Sequence, residues 1–155
     1  MQWTPRVTVA AVIEQDNRFL LVEENVDNRL VLNQPAGHWE FGESLLDAVR
    51  RETLEETAQL FEPQHLLGIY SWTLPGTQKT YLRFAFTGII TGTASQQQLD
   101  DEIEQTLWLT RDEIRANQTR HRSPLVWRCI EDLDTGKRYP LELLSPLNSA
   151  TEHPA

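Results

Sequence analysis

Glu52, Glu55 and Glu56 crowd together in a segment, Ser44 to about Ala58, whose apolar residues recur with helical periodicity. On such a helix Leu45, Val49, Glu52 and Glu56 share one stripe, the seam that ordinarily faces a core. Its first half is apolar and its second half is carboxylate. Glu52 and Glu56 repel each other as an i, i+4 pair, and both lie in the half of the helix where the macrodipole disfavours anions. Burying them unpaired costs more than either effect. Arg50 and Arg51 can neutralise an ordinary acidic face, which accounts for Glu55, four residues after Arg51, but not for the inward seam. A divalent cation accounts for the seam, because clustered carboxylate oxygens suit Mg²⁺ or Mn²⁺. Gly37 and Gly42, in the preceding loop, allow the close backbone approach by which a carbonyl completes a metal shell.

The elements around this helix read as strands. Val7 to Ile13 is an almost unbroken β-branched and alanine run, followed by a polar turn at Glu14–Asn17 and a returning strand over Arg18–Glu23. Arg29–Asn33 is a short strand leading into a Pro/Gly loop, Gln34–His38. Leu66–Leu74 and Thr80–Thr87 are strand-like about a Pro75-Gly76 turn, and an acidic run, Asp100-Asp101-Glu102, precedes a strand near Thr106–Leu109. Helices are expected at Thr110–Ala116, with Thr110 as the cap, and at Pro124–Leu133. Helices interspersed among strands predict an α+β fold in which a mixed β-sheet is sandwiched between α-helices. One domain over 1–145 is expected, with 146–155 a flexible tail.

The 155 residues carry 14 Lys+Arg against 23 Asp+Glu, a formal net charge of −9. That balance argues against a nucleic-acid scaffold or an anionic-membrane binder, both of which need a basic face. It leaves phosphorylated small molecules open, since a bound cation inverts the local field. With Cys129 the single cysteine, no disulfide framework forms, which fits a cytoplasmic setting. Residues 1–6 lack a signal-like apolar run, and no stretch approaches transmembrane length.

Gly37 to Gln59 resembles the Nudix box, G-x(5)-E-x(7)-R-E-U-x-E-E-x-G-U with U a bulky aliphatic residue. Gly37, Glu43, Arg51, Glu52, Glu55 and Glu56 stand at its fixed spacing. Thr53 and Gln59 occupy aliphatic positions, and Ala58 stands where the box has glycine. The opening hairpin, the Trp108-Leu109 strand and the Arg111–Ile114 helix start extend the resemblance along most of the chain. Val22-Glu23-Glu24 and Asn33 to His38 look most like the NudJ-type phosphatase branch.

The resemblance implies a Nudix fold and an enzyme, a Mg²⁺-dependent pyrophosphohydrolase or phosphatase, with Mn²⁺ able to substitute. Its substrates would be nucleoside di- or triphosphates or thiamine-related pyrophosphates, cleaved by water attack at phosphorus. Glu52, Glu55, Glu56 and the Gly37 carbonyl would be metal ligands, and Glu43 with Arg51 an orienting ion pair. Glu102, six residues before Trp108, is the match for a further metal carboxylate; an ordinary solvated acidic loop is the other reading of that stretch. Glu55 is the first candidate for the general base and Glu102 the second.

For substrate binding, Arg29 suits a terminal phosphate, an ordinary surface arginine being the other reading, and Asn33 and Gln34 either line the pocket or satisfy strand-end backbone. Trp39, Phe41, Trp72 and Tyr81 either pack in the core, the commoner role for such aromatics, or supply a stacking wall, Trp39 and Phe41 foremost because they sit in the loop. Arg115, Arg120, His121, Arg122 and Arg128 form either a phosphate-facing patch or an ordinary helix-to-helix connection. No nucleic-acid or membrane partner is expected, and a monomer is favoured over a homodimer. The competing reading is a non-catalytic Nudix-like nucleotide-binding or regulatory module; loss of box carboxylates would favour it, and all three are present.

Overall fold

A computed structural model describes residues 1–146, so the expected tail lies outside the described residues except for Pro146. The strands are β1 (Arg6–Val12), β2 (Glu14–Gln15), β3 (Arg18–Val26), β4 (Arg29–Asn33), β5 (Ala36–His38), β6 (Gln59–Thr73), β7 (Thr80–Thr93) and β8 (Ile103–Leu109). The α-helices are α1 (Leu45–Thr57), α2 (Arg111–Ala116) and α3 (Leu125–Asp134). Two four-stranded sheets form rather than one. The first runs β5-β1-β7-β6 and is mixed, with β1 parallel to β7 and the other pairs antiparallel. In the second, β3 pairs antiparallel with β2, β4 and β8.

β1 divides the interior. Val9, Ala11 and Ile13 pack with Ala48 and Val49 of α1, Phe61, Leu66 and Phe86. Val12 belongs to the second core, with Phe19, Leu67, Ala85 and Ile114 and with Cys129, Ile130 and Leu133 of α3. An unbroken apolar strand is what burial on both faces requires. Among the described residues no helix is long and apolar enough to cross a membrane.

β6 and β7 run beyond the strands expected from sequence. Pro63 and Gly88 interrupt the apolar pattern, yet they pair directly across the hairpin, where β6 slips register near Phe61, His65 and Gly68. Such irregularities accommodate a residue that cannot donate to the ladder. β5 lies inside the expected loop. Its pairing with β1 at Thr8, Val9 and Ala10 is long-range, and no local propensity announces it.

α1 starts at Ser44, whose Oγ accepts the Asp47 N–H at 3.0 Å. It ends at Ala58, whose N–H donates to the Leu54 carbonyl and whose φ is 61°. This left-handed cap explains why the box has glycine here, and alanine bears the strain of its Cβ. Thr53, at an aliphatic box position, is fully buried and satisfies its hydroxyl on the Val49 carbonyl at 2.7 Å. Ala58→Gly should therefore raise unfolding free energy by about 0.5–1 kcal/mol, read by urea denaturation, although glycine is the poorer helix former elsewhere.

Candidate active site and metal centre

Packing of Ala48 and Val49 fixes the rotation of α1, and that rotation carries Glu52 and Glu56 inward; they are 8% and 3% exposed. Arg51 organises the helix against the loop before it. Its Nε and one terminal nitrogen donate to the two oxygens of Glu43 at 2.9 and 2.8 Å. The same nitrogen reaches the His38 carbonyl at 3.0 Å, and the other donates to Glu52 at 2.7 Å and Glu55 at 3.2 Å. The pairing holds the Glu43 carboxyl below its ordinary range, chiefly through the Arg51 hydrogen bonds.

Gly37 lies beside the Glu52 carboxylate so closely that a Cβ there would overlap it. The constraint is space, not backbone conformation. A second chain segment approaches from the other side. Ala94 donates to the Ala58 carbonyl, and Asp100 donates its backbone N–H to the Glu55 carbonyl at 3.0 Å, using acceptors freed at the end of α1. The Glu102 carbonyl accepts from Asn25 at 2.9 Å. These ties bring Asp100 and Glu102 to the helix carboxylates. Ligand oxygens of Glu52, Glu55 and Asp100 lie within 4.8 Å of one another, as do those of Glu56, Asp100 and Glu102.

Burial pushes the Glu52 carboxyl up to about 7, against the pull of Arg51, with Glu55 and Asp100 adding to the rise. Burial pushes Glu56 up to about 9, opposed by the Ala36 N–H donated to it at 2.8 Å and reinforced by Glu24, Glu52 and Asp100. Asp100 is raised by burial and then by Glu55 and Glu102. Among the described residues Glu56 has no cationic side-chain partner. A crowded, partly desolvated set of oxygens with one buried acid unpaired by any cation fits a hard divalent ion.

The carboxylates open on a cavity of about 690 Å³. Arg29, Asn33, Gly37, Arg51, Glu52, Glu55, Glu56 and Glu102 line it. Glu43 lies behind Arg51, and Gln34, 1% exposed, lies behind the wall. Trp39 and Phe41 do not line the cavity; Phe41 is fully exposed, and the Trp39 indole donates to the Glu43 carbonyl at 2.8 Å. The aromatic wall is instead Trp72 and Tyr81, opposite each other on β6 and β7 with ring centroids 6.0 Å apart and planes 25° from parallel. Of the basic run, Arg120 pairs with Glu23, Arg122 with Glu24 and Arg128 with Asp132, while Arg115 lies over Trp127. His121 and Arg122 still reach the cavity.

Among the cavity residues that carry no site expectation from sequence, three are charged and at least partly buried beside the helix carboxylates or the aromatic pair: Glu24, Arg83 and Asp100. For Glu24 and Arg83 a signal exists, because each interrupts an apolar strand and must face something polar. Asp100 offers none, since its place depends on a backbone bond from a loop to the helix end.

A NUDIX domain model matches residues 4–128. The chain belongs to the Nudix family. It is 38% identical over 144 residues to phosphatase NudJ of Escherichia coli K12, covering 93% of each protein. A NUDIX hydrolase from Nitrosomonas europaea superposes with a TM-score of 0.92 at 51% identity, over 95% of this chain and all of that one. A UDP-X diphosphatase shares the fold, with a TM-score of 0.71 at 22% identity over 90% of this chain and 68% of that one. This Nudix protein is a hydrolase acting on phosphoric anhydride bonds.

Two outcomes test this geometry. Gly37→Ala displaces only the end of a flexible side chain, so Tm should stay within about 2 °C of wild type while kcat/KM falls about 100-fold. Differential scanning fluorimetry and steady-state rates read the two effects. The second concerns pH in the metal-free protein. Glu52 and Glu56 are raised from 4.5 in the folded state, so the fold binds protons more tightly than the unfolded chain does. Their contribution is complete below pH 4.5 and is lost as pH rises through about 7 and then about 9. Metal-free Tm should therefore fall between pH 5 and pH 9, and Glu56→Gln should flatten the upper part of the fall by on the order of 5 °C.

Proposed function

We propose that this Nudix hydrolase is a Mg²⁺-dependent pyrophosphohydrolase, with Mn²⁺ able to substitute. Its substrates are nucleoside di- or triphosphates or thiamine-related pyrophosphates, which water attacks at phosphorus. The observation that carries the reading is a cavity lined both by the carboxylate set and by the Trp72–Tyr81 pair. A diphosphate and an aromatic ring are the two chemistries that such walls accept. NudJ, by its name a phosphatase, points the same way.

Glu52, Glu55, Glu56, Asp100 and Glu102 would hold the ion, with Gly37 giving the Glu52 carboxylate its space. Bound there, a divalent cation neutralises the anhydride oxygens and lowers the pKa of attacking water. The chain's own part is positioning. Arg51 fixes the Glu52 and Glu55 carboxylates relative to the loop, so their oxygens need no rearrangement when substrate arrives. Glu55 is more exposed than Glu52 or Glu56, which suits a base that exchanges its proton with solvent. Glu102 is the second candidate for that role. Trp72 and Tyr81 present ring faces for a base or a thiazole or pyrimidine ring. The setting proposed is cytoplasmic and the form monomeric, with no nucleic-acid or membrane partner.

The test is phosphate release from a panel of nucleoside di- and triphosphates, dinucleoside polyphosphates, sugar nucleotides and thiamine pyrophosphate, with Mg²⁺ and with chelator. Wild type should release phosphate from at least one nucleoside or thiamine compound only when Mg²⁺ is present, and Glu56→Gln should lose at least about 100-fold. Activity indifferent to both chelation and the substitution sinks the metal reading.

A further inference from the structure

Arg83 is 5% exposed and is the fourth residue of β7. Its terminal nitrogens donate to Gln34 Oε1 and Asn33 Oδ1, each at 3.0 Å, and one approaches Cys129 Sγ at 3.8 Å. Every one of these partners is neutral; burial pushes the Cys129 thiol up, away from the thiolate. Among the described residues no carboxylate pairs with Arg83. The other arginines without an ion pair, Arg6, Arg29, Arg115 and Arg138, are exposed and have water. A buried guanidinium held only by two amide oxygens and a neutral thiol is a costly arrangement.

Its position gives that cost a use. Arg83 lines the cavity, opposite Thr8 of β1, which in turn lies opposite His38 of β5, next to Gly37. Tyr81, two residues earlier on the same strand, shares its face of the sheet, and Trp72 is the neighbour of Tyr81 across the hairpin. The row from the carboxylates to the aromatic pair therefore passes Arg83. Asn33, Gln34 and the Cys129 sulfur take three of its five N–H groups and fix its plane. The Nε–H and the second N–H of the Asn33-bound nitrogen have no acceptor among the described residues.

We infer that Arg83 is a substrate-binding residue that donates to an anionic oxygen of the diphosphate group, with Asn33 and Gln34 orienting its guanidinium. The inference deepens the diphosphate reading above and rests on it. An anion held between the acidic wall with its cation and Arg83 compensates both, which no neutral ligand does. Gln34, hidden behind the wall, acts through Arg83; its amide is anchored by donation to the Val126 carbonyl at 2.8 Å.

The experiment is calorimetric titration with methylenediphosphonate, whose P–C–P bridge resists hydrolysis and which has no ring, in the presence of Mg²⁺. Wild type, Arg83→Gln and Arg83→Lys are compared, with thermal melts as the folding control. Arg83→Gln should weaken binding about tenfold or more, and Arg83→Lys, which keeps the charge but not the planar fork, about threefold. Should Arg83→Gln not fold, the Arg83→Lys comparison decides: a loss of that size supports the assignment, and wild-type affinity overturns it. A folded Arg83→Gln protein that binds the diphosphonate within twofold of wild type overturns the assignment and leaves the diphosphate reading standing. The same follows if affinity falls only for a nucleoside α,β-methylene diphosphate, because Arg83 would then read the ring. Wild-type protein that binds no diphosphonate overturns the diphosphate reading, and the Arg83 assignment falls with it.

Discussion

Arg51 stands at the centre of α1, just before the half in which the helix disfavours anions, and one guanidinium there holds Glu43, Glu52, Glu55 and the His38 carbonyl together. Five fixed N–H directions make this possible; an ammonium on a flexible stem has neither the number nor the plane. Without that grip the loop between β5 and α1, which carries Glu43, is free to move away from the helix, and Glu52 and Glu55 lose the cation that pairs with them among the described residues. The local fold is thus organised around charge that it does not fully compensate. Arg51 relieves Glu52 and Glu55, but its reach ends before Glu56.

The two faces of β1 explain how such a site is supported. On one face Val9 and Ala11 seat the α1 core, which sets the helix rotation. Thr8, one residue along, lies on the other face at the cavity, beside Arg83 of the parallel neighbour β7. The positions of the carboxylates and of the guanidinium are therefore set by one strand. Glu52, Glu55, Glu56 and Arg83 sit on a helix and a strand, and only Asp100 and Glu102 come from a loop, itself tied by its backbone to the end of α1, which favours reproducible geometry over adaptability.

Much of this was legible in the sequence, for identifiable reasons. α1 combines a periodic apolar stripe with a serine cap, and its acids occur at spacings with one geometric reading. The limits of β6 and β7 were not legible, because Pro63 and Gly88 look like breakers until their partners across the hairpin are known. β5 was hidden for the same reason: pairing with β1 makes it a strand. The aromatic wall illustrates a further limit. Trp39 and Phe41 are nearer the box in sequence, yet Trp72 and Tyr81 are brought to the cavity by register across a hairpin. Proximity along the chain carried no information about proximity in space there.

The segment after β7 also constrains how this protein can vary. Between the tie of Ala94 to Ala58 and the tie of Asp100 to Glu55, the chain runs through Ser95, Gln96 and Gln98, all exposed. Extra residues there lengthen a loop already closed by the fold, and loop length is thermodynamically cheap. From Asp100 to Ile103 the backbone is held at Glu55, at Asn25 and on itself, so one inserted residue would turn a carboxylate out of the site. Insertions are thus tolerable between Ser95 and Leu99 and excluded immediately beyond. A boundary between free and forbidden length change runs within one loop, a single residue from the carboxylates.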